Sequence, residues 1–107
     1  MLQKVSEKRP AFDQPLFNLG KLAMTPGVVE IFNQGGIKPP QYLARHQCGD
    51  WGELDPADWN LNNRSVQKDP QKRSRLFSAY TLPCGTRIWV ITEWDRSVTT
   101  ILLPSEY

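Results

Sequence analysis

The stretch RLFSAYTLPCGTRIWVITEWDRSVTTILLP, residues 75–104, decides the fold. It holds three runs rich in β-branched and aromatic residues, RLFSAYTL, TRIWVITEW and SVTTILLP, with turn signals between them. Pro83, Cys84 and Gly85 mark the first turn, and Asp95, Arg96 and Ser97 the second. Antiparallel strands are therefore expected at about residues 75–82, 87–94 and 98–104. Along the middle strand Ile88, Val90 and Thr92 point one way, while Trp89, Ile91 and Glu93 point the other. Both faces carry apolar groups, so helices are expected to cover one side and part of the other.

Working upstream, TPGVVEIFNQGG at residues 25–36 reads as a short helix. Thr25 is placed to cap its free N–H groups, and Pro26 suits the first position, where no N–H is needed. Val28, Val29, Ile31 and Phe32 supply an apolar face, and Gly35 and Gly36 allow the left-handed stop. A second short helix is expected from Pro39 or Pro40 to Gly49, with Tyr42, Leu43 and His46 on one face. Residues 25–49 then form a helical hairpin. It is a poor DNA reader, since two prolines open the second arm and only Gln41, Arg45 and Gln47 suit base edges. Asp55 before Pro56 signals a third helix running toward Val66 or Gln67. A fourth strand is expected at about residues 16–22.

The predicted class is thus α+β, with short N-terminal helices packed on a C-terminal antiparallel sheet of three or four strands. Residues 16–107 form the domain, and residues 1–15 read as a flexible arm that Phe12 could anchor.

A chain of 107 residues with 39% hydrophobic residues, four Trp and four Phe has one modest core. A net charge of +2 is too small to imply a polyanionic partner by itself. The polar N-terminus does not resemble a signal peptide, and no apolar run is long enough to span a bilayer. A cytoplasmic protein that does not engage membranes is expected, with Cys48 and Cys84 as reduced thiols. No cofactor motif occurs, so no cofactor is expected. Monomer and homodimer are both open, because an unpaired sheet edge can pair with a second copy.

Four sets of residues are candidates for chemistry. His46, the only histidine, is the first candidate for proton transfer near neutral pH. Its neighbour Cys48 lies two positions on and points away on a helix, so a local dyad is geometrically poor. The plainer expectation is a packed His46 bonded to Asp50 or a loop carbonyl. The segment GDWG, residues 49–52, reads as a shaped turn anchored by Trp51, or as an acidic wall formed by Asp50 and Glu53. Asp50, Glu53, Asp55 and Asp58 lack calcium-loop spacing, so no metal is expected. Thr92, Glu93, Trp94, Asp95, Arg96, Ser97, Thr99 and Thr100 crowd the second turn, where they either bind a phosphate and handle a proton or make ordinary cross-strand pairs. Arg64, Lys68, Lys72, Arg73 and Arg75 form a basic run that reads as a solvated loop or, with Arg87 or Arg96, a patch for nucleic acid or an acidic protein.

Through TPG (residues 25–27), ARHQCGDWG (44–52), SAY (78–80) and RIWVITEWDRSVTTILLPSEY (87–107), the chain resembles a family of small uncharacterised proteins of bacterial plasmids and other mobile elements. That resemblance implies a genomic setting and no reaction. The order of helices before a small sheet also looks like the barnase and RelE-type ribonuclease toxins. By that analogy His46 would be the acid or base, Glu93 its partner and Arg96 the phosphate clamp, with Thr99 or Ser78 positioning.

The leading expectation is a non-enzymatic accessory protein that binds a protein partner, with Asp50, Trp51, Trp94, Asp95 and Arg96 as candidate binding residues. The alternatives are a small ribonuclease or toxin-type enzyme and a nucleic-acid-binding regulator.

Overall fold

A computed structural model describes residues 14–66 and 73–107. Most of the arm expected over residues 1–15, together with Phe12, Gln67, Lys68 and Lys72, lies outside the described residues. The element order is β1 (Lys21–Met24), α1 (Pro26–Gly35), α2 (Pro39–Gln47), α3 (Pro56–Ser65), β2 (Leu76–Thr81), β3 (Arg87–Thr92) and β4 (Val98–Leu102), then a 3₁₀ turn (Pro104–Glu106). The class is α+β. No described helix is long and apolar enough to cross a membrane.

The sheet departs from expectation in two respects. Its strand order is β1-β4-β3-β2, and β1 runs parallel to β4, so the sheet is mixed rather than purely antiparallel. The hairpins β2–β3 and β3–β4 are antiparallel as expected, with Ser78 opposite Val90 and Thr92 opposite Thr99. The first strand also lies later than residues 16–22. Gly20 has φ +69°, and a β-carbon there would sit 2.4 Å from the Ser97 carbonyl oxygen, so the chain meets β4 only by turning at this glycine. Leu16 and Phe17 are used elsewhere: the Leu16 N–H donates to the Gln47 carbonyl at 2.8 Å, and Phe17 stacks beside Trp51.

All three helices open on proline, which needs no N–H partner in the first turn. Asp55 caps α3 as the sequence predicts, its carboxylate accepting from the Asp58 N–H at 2.9 Å. Thr25 makes no side-chain cap on α1. That role falls to Glu106, whose carboxylate accepts from the Gly27 N–H at 3.0 Å, the Leu103 N–H at 3.1 Å and the Thr25 hydroxyl. An anion at a helix N-terminus is favoured by the exposed N–H groups and the helix dipole. The chain's end is thereby tied to its first helix.

One face of the sheet carries Tyr80, Ile88, Val90 and Ile101, packed against Val28 and Phe32 of α1 and Tyr42 and Leu43 of α2. Helix α3 flanks the outer edge of β2. There the Asn62 amide bonds the Phe77 backbone in both directions, and the Trp51–Glu53 segment takes up both backbone groups of Ala79. The β2 edge is therefore covered, and β1 is the other edge strand.

Candidate functional site

Helix α2 presents Tyr42, Leu43 and His46 to the sheet, and all three are buried. His46 is 0% exposed. Its partners are hydroxyls rather than Asp50 or a loop carbonyl: Nδ1 meets Ser78 Oγ at 2.6 Å and Nε2 meets Thr92 Oγ1 at 2.9 Å. Thr92 Oγ1 lies 2.6 Å from Thr99 Oγ1, which donates to the Leu19 carbonyl at 2.7 Å.

This chain assigns the protons. Thr99 spends its only hydrogen on Leu19, so it accepts from Thr92. Thr92 then has none for His46, so Nε2 carries the hydrogen and Nδ1 accepts from Ser78. The ring is enclosed by Phe17, edge-on at 5.3 Å, and Trp51 at 5.5 Å. Burial, with a smaller contribution from the Arg96 charge, holds the His46 pKa down at about 3. The imidazole is neutral at physiological pH and both nitrogens are in use.

Asp50 and Trp51 are likewise committed to structure. Asp50 pairs with Arg45 at 2.7 Å, and its carbonyl accepts from the Tyr80 hydroxyl at 2.6 Å. Trp51 is 0% exposed and donates to Asn63 Oδ1 at 2.9 Å. Glu53 meets Arg87 at 3.6 Å on the surface.

The second turn is organised by Arg96, the one described non-glycine residue with positive φ (60°). Its guanidinium donates to the carbonyls of Ser65 and Ser74, each at 2.7 Å, and to those of Glu93 and Trp94. The Ser65 hydroxyl adds a bond to the Ser74 carbonyl at 2.9 Å. Arg96 therefore fastens the end of α3 and the start of β2 to the β3–β4 turn. Arg96→Ala is expected to cost about 2–3 kcal/mol in urea unfolding, and Arg96→Gly about 1 kcal/mol less, because glycine relieves the left-handed backbone. Lysine should not rescue, since an ammonium cannot span both serine carbonyls as a planar fork does. Beside it, the Asp95 carboxylate accepts from the Ser97 N–H and hydroxyl, which hold its pKa below the ordinary value. Trp94 is 60% exposed.

The described members of the basic run, Arg64, Arg73 and Arg75, do not form one stripe. Arg73 lies with Arg96, Phe17 and Asn18 around a cavity of about 320 Å³, whereas Arg75 turns to the other side of the sheet and bonds the Tyr107 hydroxyl. Arg64 is exposed on α3.

That other side is the surface that sequence reasoning missed. Phe77, Trp89, Ile91 and Leu102 face it, and no helix packs there among the described residues. Arg75, Phe77, Trp89, Ile91 and Tyr107 line an open, mainly apolar groove of about 370 Å³. Trp89 meets Phe77 edge-on at 5.1 Å and Tyr107 at 5.7 Å. A smaller hollow beside it adds Glu93, Thr100 and Leu102. The signal was present in β3, which is apolar on both faces; helices were expected to cover part of this second face, and among the described residues none does.

Among the described residues no cluster of three or more His, Cys, Asp or Glu side chains could hold a metal ion. No protein-family model matches the chain, and neither curated proteins nor solved structures provide a match.

Proposed function

We propose that this chain is a non-enzymatic accessory protein of a bacterial mobile element, and that it acts by docking a protein partner on the open face of its sheet. The observation that carries this reading is the groove formed by Phe77, Trp89, Ile91 and Tyr107, on the face against which none of the described helices packs. A sheet face this apolar gains by covering against a second layer. Arg75 at the rim fits a partner segment that brings apolar side chains to the groove and a carboxylate to the guanidinium. The mobile-element setting rests on the resemblance of the GDWG and C-terminal motifs.

A toxin-type ribonuclease built on His46 as acid or base would need that imidazole to reach substrate. His46 offers neither exposure nor a spare nitrogen, so the toxin-type reading loses its acid or base.

The reading is tested by affinity capture from the native host, with and without nuclease, using wild type, Trp89→Ala, Arg75→Glu and Trp94→Ala. A protein partner is expected to survive nuclease and to be retained by Trp94→Ala. Capture should fall about tenfold or more with Trp89→Ala and Arg75→Glu, both checked for native circular dichroism. Capture that is indifferent to those two variants, or that nuclease abolishes, would overturn the reading.

A further inference from the structure

We infer that the cavity between residues 16–18, the end of α3 and the β3–β4 turn is a binding site for a small phosphate-type dianion, held between Arg73 and Arg96. This cavity is distinct from the sheet groove, because Phe17 on its wall packs against His46 and Trp51 on the helix-covered side.

Three features of its wall point to an anion. First, among the described residues two guanidiniums and one carboxylate, Asp95, line it, and their sum is positive. The two ion pairs formed among the described residues, Arg45–Asp50 and Arg87–Glu53, involve neither Arg73 nor Arg96. Arg73 lies near enough to make protonation of Arg96 less favourable, second only to the effect of burial. Like charges held together across a cavity are relieved by an anion between them.

Second, the cationic group is already placed. Four backbone carbonyls fix both terminal nitrogens of Arg96, so little side-chain freedom remains to be lost on binding. Among the described residues those bonds leave its Nε–H unspent. Arg73 is exposed and adds a second fork that can take two oxygens of one phosphate. Asn18, also exposed, lines the same cavity and brings an amide donor.

Third, the Asp95 carboxylate opposes the anion only in part. One of its oxygens accepts from both the Ser97 N–H and the Ser97 hydroxyl, which disperses its charge into the turn. A dianion gains more from the two arginines than it loses to this single carboxylate, whereas chloride gains half as much. A cavity of about 320 Å³ accommodates a phosphate with a small organic substituent.

The test titrates inorganic phosphate into the full chain at constant ionic strength, balanced with sodium chloride, and follows amide and arginine Nε–H signals by NMR. Saturable shifts are expected at Asn18, Arg73, Asp95 and Arg96, with none at Arg75 or Trp89. Arg73→Gln, a surface change that leaves the Arg96 fastening intact, should weaken phosphate binding about tenfold, which corresponds to about 1.4 kcal/mol. Arg75→Gln should leave it unchanged. A parallel arm uses a single-stranded oligonucleotide without terminal phosphates. Shifts that do not saturate, or that Arg73→Gln leaves unaltered, would overturn the inference as an adventitious ion only. Oligonucleotide binding without phosphate binding would overturn it in favour of a backbone-phosphate surface. Neither result bears on the sheet groove.

Discussion

Lowering the pH from 7 to 4 is expected to cost the fold about 3 kcal/mol through His46 alone. The unfolded chain takes up a proton on this side chain near pH 6.5, whereas the folded protein does so only near pH 3. Between those values the unfolded state binds one more proton than the folded state. Stability is therefore full above about pH 6.5 and falls by about 1.4 kcal/mol for each unit below it, until the folded pKa is reached. Urea unfolding of wild type and His46→Gln at pH 7, 6, 5 and 4 checks this. The variant should start about 2 kcal/mol less stable, because the Ser78 and Thr92 hydroxyls lose well-aligned partners inside the core. Its pH dependence should be shallow, so that the two curves meet near pH 5 and the variant is the more stable by about 1 kcal/mol at pH 4. Asp95 and Glu106, whose carboxyls are also held below their ordinary values, contribute equally in both proteins and cancel in the difference. Parallel curves would mean that His46 is solvated in the folded state.

The second large effect is expected at Gly52. Its backbone has φ +76°, and a β-carbon there would stand 2.0 Å from the Ala79 carbonyl oxygen and 2.7 Å from the Tyr80 ring. Neither neighbour can yield cheaply. The Ala79 carbonyl accepts from the Glu53 N–H at 2.7 Å, and the Tyr80 hydroxyl is bonded to Asp50. Gly52→Ala must therefore push the GDWG loop off the edge of β2 and loosen Trp51, which fills the space beside His46 and Phe17. The expected loss is roughly 3–5 kcal/mol, the sum of left-handed strain and overpacking. Gly85→Ala serves as the control. It has φ +92° with nothing within 4 Å of the added carbon, so it should lose only about 1 kcal/mol. Equal losses at the two glycines would show that backbone angle, and not the close approach to β2, is what Gly52 provides.

These two residues also mark how far the fold can be read from the chain. The strands β2, β3 and β4 are legible because each is rich in β-branched and aromatic residues and is separated from the next by a turn whose residues set its geometry. Helix starts at Pro26, Pro39 and Pro56 are legible for the same local reason. Strand β1 is not, since four residues take strand form only by lying beside β4, and their parallel direction follows from where the chain arrives. The cap on α1 is hidden for the same reason: Glu106 comes from the far end of the chain and leaves no local sign in the sequence around Thr25.

The candidate residues divide along that line. His46 stands out by composition, yet its role depends on hydroxyls 32 and 46 positions away, and no local pattern reports them. Arg96 draws notice as a cation in a turn. Its work of joining Ser65 to Ser74 becomes visible only when α3 and β2 lie side by side. The groove residues Phe77, Trp89, Ile91 and Tyr107 look like core in the sequence. What sets them apart is that none of the described helices covers them, which is a property of the packing and not of any one segment.

His46, the only histidine, is a sealed and neutral part of the core and thus removed from proton chemistry. The most direct measurement is the ¹⁵N and ¹H NMR spectrum of the His46 ring between pH 5 and pH 8. A neutral Nε2–H tautomer, a slowly exchanging ring proton and no titration across that range are expected. A ring that titrates near pH 6.5, or that carries its proton on Nδ1, would contradict this and return His46 to the list of groups able to act on a substrate.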